Sequence, residues 1–118
     1  VLAKDPVIRQ KLADMAVQIE VCRMMCYRVA WMYSQGLQPS TEASASILFG
    51  SETMRRLAGI GTDILGSYAQ LEADSKWAVS CARIERLYLE CLTLGVGGGT
   101  NEVQRNIIAQ RGLGLPRR

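Results

Sequence analysis

Three adjacent glycines, Gly97, Gly98 and Gly99, run directly into Thr100, Asn101 and Glu102. Glycine lacks the Cβ that bars positive φ, so such a run lets another molecule come close to the backbone. A helix starting at Thr100 or Asn101 adds unpaired N–H groups and the positive end of a helix dipole. Together these features suit an anionic or electron-rich cofactor. The same residues also make an ordinary glycine-rich turn between helices, with Thr100 or Asn101 as a plain N-cap.

Proton transfer would fall to carboxylates, because the chain has no histidine. Glu85, Glu90 and Glu102 are available, and each reads first as a solvated helix residue or a member of a local ion pair. Cysteine is the other reactive type, at Cys22, Cys26, Cys81 and Cys91. Cys22 and Cys26 lie one helical turn apart, but with no Cys-x2-Cys pair a zinc site would need all four thiols to converge from two helices. Buried, reduced thiols acting as small hydrophobes are expected instead, with no metal site and a reducing, cytoplasmic setting.

The elements that position these residues read as helices throughout. Asp5-Pro6 is a start signal, a capping carboxylate followed by proline at the first helical position. From there Ile8, Leu12, Met15, Ile19, Cys22, Cys26, Val29 and Tyr33 recur in steps of three and four, and Gly36 and Pro39 end the pattern. Val17, Val21, Met24 and Trp31 widen the apolar surface beyond one stripe, which predicts a helix packed in a bundle and against another subunit. A second helix is predicted from Ser40 or Thr41 to Leu65, through Ile47, Ser51, Met54, Ala58 and Gly61, with Gly66 as its stop. Asp74 or Ser75 is read as the cap of a third, whose apolar surface comes from Val79, Ala82, Leu87, Leu89, Cys91 and Leu92. The fourth starts at Thr100 or Asn101 and closes near Gly112; were Asn101 the cap, Gln104 would complete a capping box. With no strand alternation, no internal repeat and short loops, the prediction is an all-α, antiparallel up-and-down four-helix bundle.

The run from Gly97 through Arg111 resembles the end of acyl-CoA dehydrogenases, where a Gly-Gly-Thr-Asn/Ser-Glu-Ile/Val-Gln-Arg phrase opens the last helix. The tail Gly112-Leu113-Gly114-Leu115-Pro116-Arg117 resembles the Leu-Gly-Leu-Pro-Arg that follows it, and Arg9 through Ala16 with Ile19-Glu20 resembles a long helix upstream. The resemblance implies that residues 1–118 are most of the C-terminal helical domain of an FAD-dependent enzyme, with an N-terminal helical domain and a middle β domain outside this sequence. It implies an α,β-dehydrogenation of an acyl-CoA thioester, in which a carboxylate removes the α-proton and the β-hydrogen leaves as hydride to the flavin. It further implies a homotetramer or a hetero-oligomer with a related subunit, and an electron-transfer flavoprotein as acceptor.

Carried over residue by residue, the resemblance puts Thr100, Asn101 and Glu102 beside FAD and Gly98 and Gly99 beside the thioester. In many members the base stands immediately before the Gly-Thr pair, the place of Gly98 here, so no catalytic residue is assigned to this chain. One branch carries glycine there and its glutamate on a preceding helix; a heteromeric, actinobacterial branch divides the site between unlike subunits, one of them without the base. A second family phrase, Gln-x-Leu/Phe-Gly-Gly-x-Gly-Tyr, meets the FAD diphosphate of a neighbouring subunit and corresponds to the run from Asp63 to Gln70. Leu65 and Gly66 keep its pattern, whereas Asp63 sets a negative charge where a phosphate would approach, unfavourable unless a cation intervenes. A helical subunit or interaction module without chemistry of its own is the alternative.

Composition excludes other classes. The net charge of +3 is scattered, and no basic stripe with interleaved aromatics marks a nucleic-acid partner. No apolar run is long enough to span a bilayer. At 118 residues the chain is one domain's worth, expected to bury roughly two thirds of its unfolded surface if it folds alone.

Overall fold

The computed structural model describes residues 2–116, which are all-α with no strand among them. Helix α1, Pro6–Ser34, begins as its sequence dictates: Asp5 caps it, its carboxylate accepting from the N–H of Val7 at 2.8 Å and of Ile8 at 3.3 Å. Gly36, at φ +71°, turns the chain out, and Pro39 precedes α2, Ser40–Leu65, which stops at Gly66 with φ +55°.

The inward face of α1 differs from the predicted stripe at every second step. Ile8, Met15, Cys22 and Val29 turn inward as expected, but the less exposed residues between them are Lys11, Gln18, Met25 and Met32 in place of Leu12, Ile19, Cys26 and Tyr33, although the exposed Cys26 still sets its Sγ 3.6 Å from Ser46 Oγ on α2. For Lys11 and Gln18 the cause is polar pairing with α2, Lys11 meeting Asp63 at 3.4 Å and Arg56 donating to Gln18 Oε1 at 2.9 Å; further along, Arg28 meets Glu42 at 3.6 Å. Residue numbers fall on α2 as they rise on α1, so the two helices are antiparallel. Leu12, Val17, Val21, Met24, Trp31 and Tyr33 are left exposed on the other side.

Helix α2 is the element on which the others pack. Its buried residues are small (Ser44, Ser51, Thr53 and Ala58), which brings neighbouring backbones close. One such close approach is at Gly61, where an added Cβ would stand 2.8 Å from Ile84 Cδ1 and 3.0 Å from its Cγ2.

The third helix starts later than predicted. Asp74 and Ser75 belong to a turn in which Ser75 Oγ accepts from the Trp77 N–H at 3.3 Å, and a 3-10 turn follows at Val79–Ala82. Ser80, Cys81 and Ala82 all have φ between +51° and +54°, a left-handed run no regular helix contains. Helix α3 is therefore Arg83–Leu94, with Cys91 buried and Leu89 and Leu92 exposed. Helix α4, Asn101–Ile107, widens into a π turn, Ile108–Gly112, so the last helical segment closes at Gly112 as expected. Both α3 and α4 run antiparallel to α2 and follow one another along it: Ile84 lies at Gly61, Gly95 at Arg55, Asn101 at Ser51, and Arg111 donates to Ser40 Oγ at 2.8 Å.

All four cysteines are free, yet only Cys91 is buried; Cys22 is half-buried and Cys26 and Cys81 are exposed, against the expectation for buried thiols. Among the described residues no group of His, Cys, Asp or Glu is arranged to hold a metal, and no helix is long and apolar enough to cross a membrane.

Candidate functional site

The glycine loop is shaped by the end of one helix and the start of the next. After Gly95 the chain takes a last turn, with the Val96 N–H on Thr93 O at 3.0 Å and the Gly99 N–H on Val96 O at 3.2 Å. Gly98 at φ +77° and Gly99 at φ +102° occupy the region that favours glycine. A Cβ on Gly98 would meet nothing within 4 Å, whereas one on Gly99 would stand 3.0 Å from Gln104 Nε2. Gly98 is thus an open backbone position, and Gly99 is glycine for packing as well as for conformation.

Thr100, not Asn101, is the N-cap of α4, accepting from the Val103 N–H at 3.3 Å. The Asn101 side chain is turned inward and buried, its Oδ1 accepting from Ser51 Oγ at 2.9 Å. Glu102 stands in solvent, its carboxylate held below the ordinary range first by a backbone N–H and then by the Thr100 hydroxyl; desolvation opposes these, and Arg105 and Arg55 add lesser attractions. Arg105 also pairs with Glu52 across to α2. Thr100 and Glu102 therefore present a hydroxyl and a carboxylate side by side, while Asn101 offers the loop only its backbone.

Gly98, Gly99, Thr100, Asn101 and Glu102 form one continuous patch; Asp63 and Gly66 form another. Asp63 lies twelve residues beyond Ser51 on α2, about 18 Å along the axis at 1.5 Å per residue. There the intervening cation exists, since Lys11 reaches Asp63 from α1 at 3.4 Å, and Gly66 is exposed with open space at its Cα. Glu85 sits at this second end, half-buried beside Thr62, Gln70 and Tyr88 in a cavity of about 380 Å³, and Glu90 is exposed on α3. No carboxylate lies among the glycines themselves.

Sequence reasoning missed the part played by Gln104. Its side chain is buried at 3% exposure and its Nε2 donates to Gly98 O at 2.8 Å, closing the loop back onto α4. The available signal was its spacing of six residues from a glycine of positive φ, which has no standing as a motif.

The geometry is that of an all-α unit with a glycine loop of positive φ ahead of its last helical segment. Residues 1–113 match the family described as "Acyl-CoA dehydrogenase, C-terminal domain". The chain belongs to the acyl-CoA dehydrogenase family. It is 37% identical over 114 residues to acyl-CoA dehydrogenase FadE26 of Mycobacterium tuberculosis, covering 93% of this chain and 28% of that protein. With cyclohexane-1-carbonyl-CoA dehydrogenase of Geobacter metallireducens it shares 28% identity over 109 residues, 92% of this chain and 27% of the relative. Among solved structures, the ChsE4–ChsE5 complex from Mycobacterium tuberculosis superposes with a TM-score of 0.89 at 38% identity, over 99% of this chain and 30% of that one. The Tcur3481–Tcur3483 steroid acyl-CoA dehydrogenase superposes at 0.93 with 29% identity, again over 99% of this chain and 30% of the other. The chain therefore spans less than a third of the length of these relatives.

Proposed function

We propose that residues 1–118 form the C-terminal helical domain of an FAD-dependent acyl-CoA dehydrogenase, working with an N-terminal helical and a middle β domain, and that the glycine loop is one wall of the place where thioester and flavin meet. The observation that carries this reading is Gly98, whose backbone is held at positive φ with nothing within 4 Å of where a Cβ would be. FAD, when bound, supplies the acceptor for the hydride that leaves the β-carbon. The chain's own residues bind and orient. Gly98 and Gly99 let the thioester approach, Thr100 and Glu102 line the FAD side with the Asn101 backbone, and Asp63 with Gly66 faces the FAD of a neighbouring subunit, Lys11 moderating the charge of Asp63.

The base is proposed to come from outside these residues. A carboxylate working as a base near neutrality needs its pKa raised by desolvation. Glu102, a carboxylate beside the loop, is solvated and shifted the opposite way. The proton acceptor then belongs to a preceding helix or to a related subunit in a hetero-oligomer; two of the structural neighbours are complexes of paired subunits, which supports the second source. A cytoplasmic homotetramer or hetero-oligomer that passes electrons to an electron-transfer flavoprotein completes the reading. The solvated, lowered carboxylate of Glu102 favours, as the second reading, a subunit that packs and shapes the pocket without catalysing.

Flavin content separates the two. The full-length protein, produced alone and with related subunits encoded nearby, is expected to absorb at about 450 nm as oxidised flavins do and to reduce an artificial electron acceptor with acyl-CoA. Colourless protein in every combination, inert toward coenzyme A thioesters, overturns the proposal.

A further inference from the structure

We propose that Gln104 is a positioning residue that holds the glycine loop in its open form through the Gly98 carbonyl; the importance of that form for chemistry rests on the function proposed above. The Gln104 side chain is almost wholly buried, and Nε2 donates to Gly98 O at 2.8 Å. Its Oε1 is buried with no hydrogen-bond partner among the described residues, so the contact to Gly98 is the anchor of this amide. The orientation of the amide follows from that contact, since the reverse would set two oxygens against each other.

The contact adds a side-chain tie to a stretch otherwise held by backbone hydrogen bonds, the Gly97 N–H on Thr93 O at 3.3 Å and the Gly99 N–H on Val96 O at 3.2 Å. Gly98 and Gly99 have positive φ and no side chains, and a glycine backbone is the freest in a protein. At the helix side the loop is held by Thr100, through the Val103 N–H on its hydroxyl at 3.3 Å and the Gln104 N–H on its carbonyl at 2.9 Å. Gln104 reaches past Thr100 with its side chain to hold the carbonyl of the peptide between the two positive-φ glycines, whose N–H is held by Val96 O. It also fills the space beside Gly99, where any Cβ would crowd its Nε2 at 3.0 Å. One buried amide therefore fixes a carbonyl and dictates the absence of a side chain at the next residue.

The test uses the full-length protein with any subunit it requires, and reads amide hydrogen exchange by mass spectrometry together with steady-state kinetics. Gln104→Leu keeps an apolar bulk of similar size but removes the donor; it is expected to speed exchange in the segment 97–100 by about fivefold to tenfold, with a smaller change across α4. Gln104→Glu keeps the shape and reverses the polarity, and it adds a signature that space-filling cannot give. The ionised carboxylate repels Gly98 O, whereas the protonated acid can donate to it, so exchange in the loop, corrected for the intrinsic effect of pH, should return toward the parent's as pH falls through the new group's pKa. Acceleration spread evenly through α4 with no preference for the loop would overturn the proposal, as would a Glu variant whose corrected exchange ignores pH. These readouts need no flavin, so they stand even where the proposed activity fails. Where activity is present, kcat is expected to fall more than KM rises in Gln104→Leu, with flavin content retained.

Discussion

Single residues at the start of α4 each do a separable task. Thr100 caps the helix, so Thr100→Ala is expected to cost about 1 kcal/mol in chemical denaturation, the usual worth of such a cap. Ser51 and Asn101 form a buried hydrogen bond between α2 and α4 at 2.9 Å. Ser51→Ala leaves the Asn101 acceptor without its donor in the interior, which should cost on the order of 1–3 kcal/mol, more than the same change on the surface. Glu102 gives a pH signature. Its carboxylate is depressed in the folded state by the backbone N–H and the Thr100 hydroxyl, so it adds stability above the unfolded glutamate's pKa and loses it as pH falls through the lower folded value. The stability difference between the parent and Glu102→Gln should therefore be present at neutral pH and vanish on the acid side of about pH 4, as followed by thermal unfolding across pH. A gap that persists unchanged into acid would contradict the assigned partners.

At the scale of elements, the meeting of α2 and α3 depends on a missing side chain. Gly61→Val should force Ile84 away and destabilise by about 1–3 kcal/mol, and combining it with Ile84→Ala should recover part of the loss in a double-mutant cycle. Much of this architecture was legible in the chain. Asp5-Pro6 and Gly66 mark real boundaries because capping and positive φ are local properties, decided by a few adjacent residues. The inward face of α1 was legible only in part, since a hydrophobic pattern cannot foresee that Lys11 and Gln18 will lay their stems along α2 and pair with Asp63 and Arg56. The start of α3 was misplaced for a related reason. Ser75 does accept from a backbone N–H two residues on, as a turn residue and not as a helix cap, and nothing in Ser80-Cys81-Ala82 advertises a left-handed run. Within the site, the glycines and Thr100 were readable from type and order, whereas the inward turn of Asn101 and the anchoring by Gln104 depend on where α2 passes.

Over the whole molecule, too much surface is left uncovered. The accessible area is 8478 Å², against roughly 6,300 Å² for a compact monomer of this size and roughly 19,000 Å² unfolded, so about 55% is buried and not the two thirds expected. The radius of gyration, 17.5 Å, likewise exceeds the value of about 13.5 Å for a compact chain of this length. The surplus, roughly 2,100 Å² on one chain, is more than the roughly 800 Å² that each partner gives to a standard interface and matches one partner's share of a large obligate interface of about 4,200 Å² in total. Much of it lies on the outer side of α1, where Val17, Val21, Met24 and Trp31 are between 40% and 63% exposed. The isolated 118-residue chain is accordingly expected to self-associate, a dimer being the simplest closed form. Val21→Arg with Met24→Glu should return it to a monomer in light scattering, and a parent chain that stays monomeric at high concentration would count against this use of the face. Because every other helix leans on α2, the polypeptide also has a most vulnerable stretch. A protease cut in the exposed turn around Asp74 should leave two pieces that stay together through the α2–α3 contact, whereas a cut in the middle of α2 would release both ends at once and end in complete digestion.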